Sequence, residues 1–123
     1  MNLQEVTNKV EAVARRAGAF IREESKNFSL NKVEQKGFND LVSYVDKGAE
    51  EIIVKELAEI VPEAGFITEE GTRSDKNKPL TWIVDPLDGT TNFVHGIPMF
   101  AVSIALARGS EIIVGVVYEI NLD

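Results

Sequence analysis

Pro62 divides this chain into two kinds of hydrophobic pattern, and few folds accommodate both. Before it, apolar residues recur every three or four positions: Leu3, Val6, Val10, Val13, Ala17, Phe20 and Ile21, then Val42, Val45, Ala49, Ile52, Ile53, Leu57 and Ile60. That period belongs to amphipathic helices and predicts one over residues 3 to about 24 and another over 40 to about 61, where Pro62 stops it. After Pro62 the apolar residues come as continuous short runs, at 65–68, 81–84, 99–107 and 112–120, which read as strands. The last two are rich in valine and isoleucine and are joined by Arg108-Gly109-Ser110-Glu111, a hairpin pattern. Residues 25–39 are polar and contain Asn27, Asn31 and Gly37, predicting a loop or irregular hairpin around Phe28, Leu30 and Val33; 71–79 reads as a polar loop.

Two helices followed by strands imply an α+β fold, with the helices packed on a mostly antiparallel sheet. The 123 residues, 44% hydrophobic and 27% charged, suffice for one domain spanning 1–123. A net charge of −7 argues against nucleic acid and anionic membrane surfaces and makes a cation the natural partner. The absence of cysteine removes disulfides and thiolate zinc sites and fits a reducing compartment. Met1-Asn2-Leu3-Gln4-Glu5 lacks the layout of a signal peptide, and no apolar run is long enough for a bilayer, so the expected location is cytoplasmic.

The chemistry concentrates where strands end. Asp85 follows the apolar run Trp82-Ile83-Val84, and Asp88 lies three residues on, with Pro86 fixing the turn between them. Two carboxylates, with the Leu87 carbonyl between, are the oxygen ligands that a hard cation such as Mg²⁺ prefers. Gly89 allows close backbone approach, and Thr90-Thr91-Asn92 can start a short helix whose free N–H groups would face a phosphate. Glu69 and Glu70 close the run Phe66-Ile67-Thr68 and put carboxylates at a second strand end. Asp46 interrupts the apolar stripe of the second helix, four residues after Val42 and three before Ala49, so it either takes a hydrogen bond or a cation there or sits at the stripe's edge and reaches water. His95, the only histidine, is given no role, and Arg15-Arg16 and Lys76-Asn77-Lys78 read as solvated faces.

The run Asp85-Pro86-Leu87-Asp88-Gly89-Thr90-Thr91-Asn92-Phe93 resembles the signature of the inositol monophosphatase family, in the Mg-dependent, lithium-sensitive phosphomonoesterase superfamily. The similarity extends to Lys36, to Asp40-Leu41-Val42 through Asp46, to Phe66-Ile67-Thr68-Glu69-Glu70 and to Ala101-Val102-Ser103-Ile104. It implies the N-terminal half of a layered αβαβα fold and a homodimer. It also implies Mg²⁺ held by Glu69, Asp85, the Leu87 carbonyl and Asp88, with Asp85 bridging two ions. Substrate contacts would come from Leu87, Asp88, Gly89 and Thr90, the last two holding the phosphate of a small phosphorylated alcohol, foremost myo-inositol monophosphate. Glu69 and the Thr90 hydroxyl would orient the attacking water, and Asp46 would accept a hydrogen bond from Thr90. The family's third metal aspartate and most contacts to the alcohol lie in a C-terminal half, so the resemblance describes this chain as the metal-binding portion alone.

Thr91-Asn92 favours monophosphatases over two related activities, 3′(2′),5′-bisphosphate nucleotidases and fructose-1,6-bisphosphatases. Haloacid dehalogenase-type phosphatases place their nucleophilic aspartate two residues before the second one, whereas Asp85 and Asp88 are three apart. No Gly-x4-Gly-Lys-(Ser/Thr) nucleotide loop is present. The remaining rival is a non-catalytic fragment that folds and self-associates through exposed apolar surface.

Overall fold

The computed structural model describes residues 1–31, 35–75 and 77–122, with side chains described outside 27–41. Two long helices, α1 (Leu3–Asn31) and α2 (Gln35–Ile60), precede strands β1 (Gly65–Thr68) and β2 (Leu80–Asp88). A one-turn helix, α3 (Thr90–Val94), leads to β3 (Ala101–Arg108) and β4 (Glu111–Glu119), and a 3₁₀ turn, Ile120–Leu122, closes the described chain. The strands lie in the order β1-β2-β3-β4, with β1 parallel to β2 and the other pairs antiparallel. The α+β class and the mostly antiparallel sheet are as the sequence predicts.

The two helices exceed their predicted lengths. Residues 25–31 continue α1, and 35–39 open α2, where a loop or irregular hairpin was expected. Apolar period reports only the turns of a helix that pack on a core, and nothing in 25–31 forbids helix. Val33 and Lys76 lie outside the described residues, as do the side chains of Phe28, Leu30, Lys36, Asp40 and Leu41.

The core forms where the helical stripes meet one face of the sheet. Val10, Val13, Ala17 and Ile21 of α1 and Val45, Ala49, Ile53 and Leu57 of α2 are buried with Phe66, Trp82, Ile104 and Leu106 from β1, β2 and β3. Alternation along each strand sends the intervening residues to the opposite face, where Ile67, Ile83 and Val117 remain exposed. Arg16 is not merely solvated: its Nε donates to Glu56 Oε1 at 2.7 Å and ties α1 to α2. Among the described residues no helix is long and apolar enough to cross a membrane.

β2 does not run straight through the carboxylate motif. Asp85 pairs with Ser103 and Asp88 with Ala101, so two residues, Pro86 and Leu87, lie opposite Val102 alone in a β-bulge. Proline has no N–H to give to a ladder, and a bulge is one of the few interior places a strand tolerates it. The motif thus lengthens the strand predicted over 81–84 and re-aims its end.

Candidate metal and phosphate site

Parallel pairing of β1 with β2 assembles the acidic residues. Both strands deliver their C-terminal ends to the same sheet edge, and Thr68 lies opposite Val84. The next residues, Glu69 and Asp85, are thereby neighbours. Ligand sites at converging strand ends are a property of parallel strands, and this one pair meets that condition in an otherwise antiparallel sheet.

Charge crowding reports the convergence. The Glu69 carboxyl is pushed up to about 7, foremost by a side-chain hydrogen bond with Asp85, then by burial and the charges of Asp85, Asp46 and Glu70. Asp46, half-buried on α2, is pushed up to about 6, first by burial and then by the charges of Glu70, Asp85 and Glu50. Carboxylates from α2, β1 and β2 therefore share one region, and their mutual repulsion calls for a proton or a cation. Among the described residues no hydroxyl donates to Asp46. Thr90 Oγ1 donates to the Leu87 carbonyl at 3.2 Å, and a hydroxyl has only one proton to give, so the expected bond from Thr90 to Asp46 is replaced here.

The residues suit a hard divalent cation. Asp85 Oδ1 is buried without a hydrogen-bond partner among the described residues, an acceptor left open beside Glu69. Carboxylates and the Leu87 carbonyl are the oxygen donors Mg²⁺ takes. Among the described residues no three carboxylate or imidazole groups already stand close enough together to form a finished cation site, and Asp88 is exposed. The arrangement is an acidic pair with an open buried oxygen, to which further ligands must be added.

These shifts fix a pH dependence. A carboxyl raised in the folded state holds its proton where the unfolded chain, with ordinary values near 4, has lost it. Between about pH 4 and 7 the folded protein binds more protons, so stability falls as pH rises through about 6 for Asp46 and about 7 for Glu69. In chelator, the melting temperature should be higher at pH 5 than at pH 7.5, and saturating Mg²⁺ should narrow that difference. A metal-free protein more stable at pH 7.5 would contradict this electrostatic picture.

The turn that the sequence marks as a phosphate cradle is built on Gly89. It adopts φ 97° and ψ 37° immediately before α3, a left-handed conformation that L side chains rarely take. A Cβ there would lie 2.9 Å from the Met99 carbonyl oxygen and 3.3 Å from Phe100 Cα. The same Met99 carbonyl accepts a 2.8 Å hydrogen bond from Asn92 Nδ2, so Asn92 pins the entrance of β3 against Gly89. Phe93 and Phe100 close the back of this turn edge to face, with ring centroids 5.3 Å apart. The predicted short helix after Gly89 is present, and His95 is exposed at its end.

One carboxylate here escaped the sequence reading. Glu50 is fully buried, one helical turn beyond Asp46 and three residues before Ile53, so it too interrupts the apolar stripe. The signal that singled out Asp46 was equally present at Glu50.

Comparison with known proteins places this site in context. A family model described as "Inositol monophosphatase family" matches residues 2–122. The inositol-1-monophosphatase of Mesorhizobium japonicum is 44% identical over 117 residues, covering 94% of this chain and 44% of that protein. The Nus factor SuhB of Vibrio cholerae is 48% identical over 107 residues, covering 86% of this chain and 40% of that protein. Among solved structures, the extragenic suppressor protein SuhB of Bartonella henselae superposes with a TM-score of 0.80 at 39% identity, covering 97% of this chain and 45% of that chain. The inositol monophosphate-bound SaIMPase-II superposes with a TM-score of 0.71 at 32% identity, covering 94% and 41%. This chain spans less than half the length of each of these proteins.

Proposed function

Because this chain belongs to the inositol monophosphatase family, we propose that it is the metal-binding portion of a Mg²⁺-dependent phosphomonoesterase. The substrate is a small phosphorylated alcohol, myo-inositol monophosphate foremost, and water attacks phosphorus directly, without a covalent phosphoenzyme. The observation that carries the reading is the parallel register that sets Glu69 beside Asp85, whose buried Oδ1 has no partner among the described residues. An inositol monophosphate-bound relative supports the substrate class.

Glu69, Asp85, the Leu87 carbonyl and Asp88 are the residues to hold the ions. Bound there, Mg²⁺ supplies Lewis-acid stabilisation of the phosphoryl oxygens and lowers the pKa of a coordinated water. The protein's part is positioning. Gly89 lets the Met99 carbonyl and Phe100 pack against the turn, which sets the backbone entering α3, and the Thr90 hydroxyl is held at the Leu87 carbonyl beside it. Glu69 and Thr90 orient the attacking water, while Asp46 adds negative charge that favours the cation. A third metal aspartate and the contacts that choose the alcohol belong to the length of the relatives that this chain does not span.

The test is phosphate release from inositol 1-phosphate by the complete gene product. The rate should rise with Mg²⁺ to saturation and vanish in excess chelator. An equal rate in chelator would remove the metal reading. A second reading, a non-catalytic stretch that self-associates, is favoured by one observation: the helix-free sheet face exposes Ile67, Ile83 and Val117. Absence of Mg²⁺-dependent release from the complete product would favour it.

A further inference from the structure

Glu50 takes no part in the chemistry above, yet it is fully buried. A carboxylate removed from water must be compensated by donors or by a cation, or else it destabilises the fold. Its donors come from the loop that follows β1. Glu50 Oε1 accepts from the Glu70 N–H at 2.9 Å, and Oε2 accepts from the Thr72 N–H at 3.1 Å and from the Thr72 hydroxyl. Hydrogen bonds to a charged acceptor are stronger than neutral ones.

The base of the same loop is fastened separately. Thr68 Oγ1 donates to the Arg73 carbonyl at 2.8 Å, and the backbones of Phe66 and Asp75 exchange hydrogen bonds of 3.2 and 3.1 Å. Glu69 lies between a base tied to β1 and a tip tied to α2. It also faces Asp85, and the loop that carries it turns at Gly71, φ 73°, between the two amides that Glu50 holds.

We propose that Glu50 is a positioning residue: by clamping the Glu70 and Thr72 amides onto α2 it keeps Glu69 beside Asp85, so that a divalent cation meets a pre-formed pair. The clamp rests on the reading of Glu69 as a metal ligand. Ordering the loop before the cation arrives removes from binding the cost of ordering it afterwards.

The experiment uses Mn²⁺ as the probe, with free ion followed by electron paramagnetic resonance, alongside amide hydrogen exchange at Glu70 and Thr72. Glu50→Gln should weaken Mn²⁺ binding by about tenfold, as loss of an outer-shell partner does. Thr72→Val removes one donor without changing charge or burying a new group, and should weaken binding by about fivefold, the worth of one hydrogen bond. Both variants should exchange the Glu70 and Thr72 amides faster. In a Glu69→Gln background Glu50→Gln should weaken binding no further, whereas a bulk charge effect or general loss of stability would add.

Additive losses would overturn the proposal, and so would parent-like binding by Thr72→Val with Glu50→Gln impaired, because charge alone would then explain the effect. Thr72→Val serves by itself if Glu50→Gln fails to fold. A complete gene product that binds no Mn²⁺, with its two amides still protected, would remove Glu69 as a ligand and the proposal with it. That result is distinct from failure of the clamp alone, in which the parent binds and both variants match it.

Discussion

Asp85→Asn should abolish Mg²⁺-dependent phosphate release and weaken Mn²⁺ binding by more than about 100-fold, beyond the 10- to 100-fold typical of outer-shell losses. The same change should raise the melting temperature in chelator. Asp85 raises the Glu69 carboxyl foremost through a side-chain hydrogen bond and then through its charge. Its charge adds to burial and Glu70 in raising Asp46, and its Oδ1 is buried without a partner among the described residues. An asparagine removes the repulsion and offers an amide N–H₂ to Glu69, a gain of about 1 kcal/mol. Opposite signs for stability and binding separate a functional carboxylate from a structural one. Thermal melts and Mn²⁺ titrations on one preparation decide the matter. If Asp85→Asn destabilised the metal-free protein while leaving Mn²⁺ affinity intact, Asp85 would be a structural residue.

The reason Asp85 is so placed was only half legible in the chain. Its position at a strand end follows from Trp82-Ile83-Val84, and its partner Glu69 from Phe66-Ile67-Thr68, both readable as apolar runs ending in carboxylates. The parallel pairing that unites them was not readable. Parallel neighbours normally need a long crossover, commonly a helix, whereas here the described residues between them, 69–75 and 77–79, form no helix and are fastened to β1 and α2. What holds that loop is long-range: Glu50 lies 20 residues before the Glu70 amide it accepts from. Local pattern carries no information about such a pairing.

The helix ends were obscured for a different reason. Apolar spacing marked α1 as far as the residues that reach the sheet, and α2 from Val42 onward, because burial selects for hydrophobicity only there. The turns at 25–31 and 35–39 are helical through backbone hydrogen bonding, which leaves no periodic mark in a polar sequence. Asp46 and Glu50 show how the same spacing carries function. Each is a carboxylate on a buried stripe, and each proves to face the loops at the strand ends, Asp46 through charge and Glu50 through hydrogen bonds. A polar residue that breaks an apolar period is most informative when its compensation is sought far away in sequence.

Gly89→Ala should cost more than any other glycine-to-alanine change at a positive φ, because two penalties coincide there. The backbone stands at φ 97°, where a side chain is strained by about 1–3 kcal/mol. The added methyl would also lie 2.9 Å from the Met99 carbonyl oxygen, which cannot retreat without losing its 2.8 Å bond from Asn92. Overpacking of that kind adds about 1–3 kcal/mol. Gly109 supplies the control: it has φ 61° in the β3–β4 turn, and a Cβ there meets nothing within 4 Å. Gly109→Ala should therefore show the conformational strain alone and keep phosphate release near that of the parent. Gly89→Ala should lose the further stability in urea denaturation and reduce phosphate release by more than about tenfold, as expected when a positioned anion contact is removed. Equal losses in the two variants would mean that the entrance of β3 yields to the methyl. The role assigned to Asn92 in pinning Met99 would then be wrong, and the motif's glycine would serve its turn rather than the phosphate.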